Sequence, residues 1–376
     1  MTDFQTPAEK FLEGLISIPS VTGREGLIKD HLKEAFEDIG LDVELQHVDT
    51  DRYNVVGRLG EGPIRLMLCI HTDVMPAPDE ELWSSPPFSA AVKGGRIYGR
   101  GAADAKGPLA AAMEALLRLK RQGFNGSVAL AAVVEEETGR SVGARKLMEA
   151  YRPNMGVILE PTGLRMATAH KGAIRAAITV RGKAAHSSIA DIGVNAISMA
   201  VEALKDLDAY RSQVMKTEDP ALGKASLEVT MIRGGARINV VPEMCRAYVD
   251  RRLVRGEAVE SSLQELAQVV KRTAARTGTD MDTELLCAYP PSEADEGSGV
   301  ARLVASALER LGLPGTAVGF PAGCDMWAFV AKGIPTVILG PGNIRQAHAV
   351  DEYIDREGLR RGADVYEEIL KRSVSP

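Results

Sequence analysis

Four short apolar runs, Ile64 to Ile70, Val128 to Val134, Met155 to Leu159 and Thr336 to Leu339, contain few polar residues and are bounded by turn formers. A strand that is apolar on both faces has to be covered on both, the condition of a parallel sheet between helices. Helical spacing fills the gaps. Phe11, Leu12, Leu15 and Ile16, then Leu27, His31, Leu32 and Phe36, predict two amphipathic helices between Thr6 and Gly40. Another opens near Pro108, with Leu109, Met113, Leu116 and Leu117 on one face and Gly123 beyond its end. The expected fold is α/β, a mostly parallel sheet sandwiched by helices.

Between residues 171 and 287 the period changes. Ile174, Ala176, Ile178 and Val180 alternate with other residues, as in a sheet with one wet face. A helix (Val194, Ile197, Val201, Leu204), strands near Ser226 to Met231 and Arg246 to Leu253, a second helix (Val259, Leu263, Leu266, Val270) and a strand near Met281 to Leu286 follow. That order, βαββαβ, is ferredoxin-like. The chain therefore reads as one domain, 1–170 with 288–376, interrupted by an inserted domain, 171–287.

Composition narrows the function. The 376 residues carry 45 Lys and Arg against 51 Asp and Glu, a net charge of −6, so no basic surplus points to nucleic acid. No apolar run approaches the ~20 residues of a membrane span, and the acidic opening MTDFQTPAEK lacks the pattern of a signal peptide. Cys69, Cys245, Cys287 and Cys324 stand far apart, as buried reduced thiols would. The expectation is a cytoplasmic protein with no membrane partner.

Chemistry-bearing residues gather where the strand-like runs end, the side on which open α/β sheets place their sites. His71 and Asp73 follow the first run one residue apart, so in extended chain Asp73 reaches the back of the imidazole. Asp104, in GRGAADAKGP, reads either as a helix cap or as a carboxylate able to bridge two ions. Glu135-Glu136-Glu137 follow the second run, Glu160 the third, and His348 lies beyond the last. Two imidazoles and three carboxylates from His71, Asp104, Glu137, Glu160 and His348 suit zinc, with cobalt or manganese as alternatives, and fit two ions sharing a bridge better than one. Glu136 is left without a metal to bind, and a reaction at such a site needs a base.

The motifs HTD, GRGAADAKG, EEETG, LEPT, GKAAHSS with GVNAI, GG with NVVP and DRR, and GPGNIRQAHAVDEY occur in the order seen in the di-zinc amidohydrolases. That family includes acetylornithine deacetylase, succinyl-diaminopimelate desuccinylase, aminoacylase and the glutamate carboxypeptidases, and the chain resembles it from about Leu12 to Ile369. The resemblance implies that His71, Asp104 and Glu160 hold one ion and Asp104, Glu137 and His348 the other. Asp73 would orient His71, and Glu136 would be the general base toward a water shared by the ions. It also implies a cis peptide after Asp104 and an inserted lid that forms a homodimer. From that lid His186 would reach a neighbouring active site, and Asn239 and Arg252 would contact substrate. The expected reaction is hydrolysis of an N-acyl amino acid, closest to the deacetylase branch. A dipeptidase, carboxypeptidase or desuccinylase shares every ligand, and a binding protein that kept the pocket is the reading from another class.

Overall fold

The computed structural model describes residues 5–374, so the first four residues of the acidic opening lie outside the described residues. Thr6 starts the first helix, α1 (Pro7–Ile16): its side chain accepts the Glu9 amide while the Glu9 carboxylate reaches back to the Thr6 amide, with Pro7 at the first helical position. In α2 (Gly26–Asp38) the buried stripe is Ile28, Leu32 and Phe36. Leu27, placed above on the apolar face, is 51 % exposed instead, because the i, i+4, i+8 row starting at Ile28 is the one that meets the sheet.

Thr50 and Asp51 then turn the chain between two strands that the apolar pattern did not announce, β1 (Asp42–Asp49) and β2 (Arg52–Leu59). So short a connection only joins antiparallel strands, and the register of the pair is antiparallel. β3 (Leu66–His71) and, after α3 (Lys106–Arg121), β4 (Val128–Val133) are buried at every position. After α4 (Val142–Ala150) comes β5 (Met155–Ile158). The strands lie in the order β1-β2-β4-β3-β5, continued by Thr336–Ile338. β3 is parallel to β4 and β5, and Thr336–Ile338 to β5, whereas β2 meets β4 antiparallel. The expected parallel sheet is thus its central four strands, and the β1–β2 hairpin makes the whole sheet mixed.

Two compact units divide the chain. The first comprises residues up to Ala169, Glu293–Phe320 and the chain from Cys324 on. Its core forms where α1, α3 and the helix Arg356–Ser373 cover the sheet, with Leu12, Ile16, Leu109, Met113, Leu68, Ile70, Val365 and Ile369 at or below 1 % exposure. Full burial of each such side chain contributes roughly 1.5–3 kcal/mol.

The second unit, His170–Ser292 with Pro321–Gly323, runs β6 (Gly172–Arg181), α5 (Ala196–Val214), β7 (Ser226–Gly234), β8 (Met244–Leu253), α6 (Val259–Thr277) and β9 (Asp280–Tyr289). Its sheet, ordered β7-β8-β6-β9, is antiparallel throughout, the ferredoxin-like order. Alternation along β8 sends Cys245, Ala247, Val249, Arg251 and Leu253 inward, and the buried Arg251 guanidinium is paired with Glu257. No helix among the described residues is long and apolar enough to cross a membrane.

Candidate dinuclear metal centre

Parallel register brings the site together. His71 lies opposite Val133 and Cys69 opposite Ile158, so His71, the turn that follows β4 and Glu160 emerge at one edge of the sheet. The His71 ring is fixed from behind: Nδ1 lies 2.9 Å from the Asp73 carbonyl oxygen and 3.7 Å from its carboxylate. Nδ1–H therefore donates chiefly to the backbone of Asp73. The Asp73 carboxylate instead accepts the amides of Glu136 and Glu137, both at 3.1 Å, and the Thr22 hydroxyl at 3.0 Å. It ties the acidic turn to the end of β3.

With Nδ1 engaged, His71 presents Nε2 to Asp104 Oδ1 at 3.1 Å and to Glu160 Oε1 at 3.9 Å. Asp104 Oδ2 lies 3.5 Å from Nε2 of His348, whose other neighbour is the Glu137 carboxylate at 3.0 Å. Asp104 stands between the two groups, one oxygen toward each. Within His71, Asp104 and Glu160, and again within Asp104, Glu137 and His348, the donor atoms lie within 4.8 Å of one another.

The groups shift one another's protonation, and His71, bonded to Asp104 and Asp73, is raised well above the ordinary imidazole value. Burial pushes Glu160 and Glu136 well above the usual carboxylate range and raises Glu137. Burial also acts to raise Asp104, yet hydrogen bonds with His348 and His71 hold it below its ordinary value. The same bonds to Asp104 and Glu137 raise His348 to about 10. Acids crowded this closely need positive charge among them, and a mixed imidazole and carboxylate donor set with the His71 ring already oriented fits divalent ions of the zinc type.

Some groups at this site were given no role by the sequence, and the backbone around Asp104 differs from the helix cap it allowed. Asp104 does not cap α3, whose cap position is Ala105 with no side-chain bond, and the Asp104–Ala105 peptide is cis. The backbone there is carried by buried Glu352, one oxygen accepting the Ala103 and Asp104 amides at 2.9 and 3.0 Å and the other Arg100 at 2.7 Å. Arg100 also donates to carbonyls around the His348 loop, at Ala349 and His348. Asp325, buried beside Ser141, has its carboxyl raised to about 6 by desolvation. Nothing in GCDM separates it from an ordinary loop aspartate.

The remaining candidates lie in the second unit. Ala185–His186 pairs with Val240–Val241, and the Ser187 amide donates to the Asn239 carbonyl, so His186 and Asn239 share the end of one exposed ribbon. The His186 Nδ1 accepts the Ser188 amide at 3.2 Å and lies 2.7 Å from its hydroxyl, which leaves the proton of a neutral ring on Nε2. Arg252 lies on β8, its Nε and Nη2 donating to Asp250 and its Nη1 to the Tyr289 hydroxyl at 3.2 Å.

Residues 67–372 match the model of the peptidase family M20/M25/M40. The acetylornithine deacetylase of Edwardsiella ictaluri is 32 % identical, the match covering 91 % of each chain. A tripeptidase from Staphylococcus aureus shares the fold with a TM-score of 0.79 and 25 % identity over 98 % of both chains. A protein described as a dinuclear metal-binding M20 peptidase, from Bacillus subtilis, shares it with a TM-score of 0.68 at 18 % identity over 97 % of both. With candidate donors at its strand ends, a second unit of this topology and a match spanning most of its length, the chain belongs to the peptidase family M20/M25/M40 and is a hydrolytic enzyme acting on amide bonds.

Proposed function

We propose that the protein hydrolyses the amide bond of small N-acyl amino acids, as a deacetylase of the acetylornithine type. The observation that carries this reading is a pair of donor groups sharing Asp104, with Glu136 beside them in neither group. His71, Asp104 and Glu160 would hold one divalent ion and Asp104, Glu137 and His348 a second, zinc before cobalt or manganese. Such ions, when bound, acidify a water and polarise a carbonyl oxygen.

The protein's own groups do the rest. Glu136, its proton affinity raised by burial, accepts the proton of the attacking water and returns it to the leaving amine. His186 donates through Nε2–H to the developing oxyanion, the tautomer that its Ser188 contact favours. Arg252 pairs with the substrate carboxylate. The guanidinium is held by Asp250 at Nε and Nη2 and by Tyr289 at Nη1, and Asn239 contacts the same substrate.

Likeness to a tripeptidase favours a second reading, cleavage of short peptides, which share the acylated amine and free carboxylate. A panel of N-acetyl and N-succinyl amino acids, dipeptides and tripeptides, each with a free or amidated carboxyl group, separates them. The deacetylase reading requires the N-acetyl compounds to lead in kcat/KM by at least about tenfold, and amidation to cost at least as much. A lead for the peptides transfers the assignment to peptidase, and equal rates on acid and amide remove Arg252 from the substrate.

We also assign a homodimer through the second unit. Its edge strand β7 leaves Val229, Met231 and Ile232 at least 36 % exposed, an unpaired apolar edge that a two-fold partner would cover. His186 would then serve the partner's site. Mixing Glu136→Ala with His186→Ala protein tests this: activity returns in exchanged dimers if the histidine acts across the interface, and stays at background, with exchange verified, if it does not. The cytoplasmic reading rests on four buried free thiols, and cell fractionation checks it.

A further inference from the structure

The run Glu135-Glu136-Glu137 contains one acid more than the proposed chemistry uses. Glu135 is 3 % exposed and adopts φ +59°, the left-handed region that a non-glycine residue enters only when its surroundings hold it there. Its carboxylate meets two arginines and a hydroxyl. Arg52 Nη1 donates to Oε2 at 2.5 Å, while the Thr138 hydroxyl at 3.3 Å and Arg140 at 3.2 Å meet Oε1. Arg52 is itself fixed by donation from Nε to Asp49 at 2.7 Å and lies 3.6 Å from the buried Glu25 carboxylate. The guanidinium thus spans from the β1–β2 turn to the turn after β4.

The consequence falls on the next two residues. A left-handed residue at the head of a turn directs successive amides to one side. Here the Glu136 and Glu137 amides converge on the two oxygens of Asp73. With those amides fixed, the two side chains leave the turn in set directions, Glu137 toward His348. One residue of rotation at position 135 would exchange or misdirect them.

We propose that Glu135, clamped by Arg52, is the positioning residue of this centre: it sets the backbone that aims Glu136 as base and Glu137 as ligand, and touches neither substrate nor ion itself. This inference rests on the roles given above to Glu136 and Glu137. Its test therefore includes two measurements that need no turnover. Glu135→Gln keeps the shape and removes the charge, Arg52→Met removes the clamp, and Arg52→Lys restores a cation without the fork. Glu135→Gly adopts φ +59° at no cost but has no carboxylate, which separates backbone preference from anchoring.

Hydrogen exchange on the metal-free protein should show at least tenfold faster exchange of the Glu136 and Glu137 amides in Glu135→Gln, Glu135→Gly and Arg52→Met, with amides of β3 unchanged. Calorimetric titration with zinc should show one of two binding events weakened at least tenfold. On the best N-acyl substrate, kcat should fall about 10²-fold with KM within about threefold, as misplacement of a reacting group by an ångström does. Arg52→Lys should recover part of each loss, and the Glu135→Gln, Arg52→Met pair should cost little more than either change alone. Unchanged exchange and zinc affinity in folded variants would overturn the proposal, as would full function in Glu135→Gly. If the native protein cleaves none of these substrates, the proposed function fails while exchange and zinc titration still decide the role of Glu135.

Discussion

Around Asp104 the braces come from far along the chain, since buried Glu352 lies 248 residues from the amide it accepts and 252 from Arg100, which pairs with it. The His186 ring, in the second unit, leans on Ser188, two residues away and exposed. The difference teaches what each region is built to do. Buried groups held by non-local bonds keep one geometry for as long as the fold lasts, whereas a locally held side chain on an exposed ribbon can be repositioned at little cost. Removing a brace from the first region should therefore be costly in stability or metal binding, and removing a side chain from the second should cost only catalysis.

The largest effect tests the first region at its chemistry. Glu136→Gln should lower kcat about 10³-fold, roughly 4 kcal/mol at the barrier, while zinc stoichiometry by elemental analysis stays at that of the native protein. Glu137→Gln should lower zinc affinity as well as rate. The reverse pattern would mean that the two neighbours exchange roles.

A smaller effect addresses the scaffold. Lys106, fully buried at the start of α3, donates to the Leu15 and Ile18 carbonyls at 2.9 and 2.7 Å and so joins the end of α1 to the centre. Burial lowers its pKa to about 7, and a neutral amine still has the two protons these bonds use. Lys106→Met leaves both carbonyls without that donor and should cost about 3 kcal/mol in urea unfolding. His186→Ala should change stability by less than about 0.5 kcal/mol. Equal losses would erase the contrast between the two regions.

The smallest effect is a pH dependence. Burial raises the Glu25 carboxyl from 4.5 to about 7. The folded state then binds the proton more tightly than the unfolded chain, so its contribution is complete below about pH 4.5 and is lost as pH rises through 7. Glu25→Gln should be more stable than the native protein by on the order of 2 kcal/mol at pH 8, with the advantage gone near pH 4.5. A constant difference across that range would show that Glu25 stays charged beside Arg52.

How much of this could be read without coordinates depends on how local the cause is. The parallel strands were legible because burial on both faces leaves an apolar run, and with them the edge where His71, Glu137 and Glu160 emerge. The β1–β2 hairpin was not, because β1 is half exposed and the alternation of the pair is blurred by Arg52, Asn54 and Gln46, whose polar ends are satisfied inside the protein. The stripe of α2 was misread by one residue at Leu27, since its amphipathic pattern permits either neighbouring row and only the sheet beneath selects one.

The order of apolar runs and polar strand ends, a property of neighbours in sequence, determined the α/β class, the ferredoxin-like second unit and the residue types of the candidate centre. Which atoms those residues offer was decided only in three dimensions. Tertiary structure gave the His71 ring the carbonyl of Asp73, gave the Asp73 carboxylate to the acidic turn and placed Glu352 beneath Asp104. The physical reason is that a hydrogen bond is specified by ångströms and angles, whereas hydrophobic burial is specified by pattern alone, so sequence periodicity carries the second and not the first.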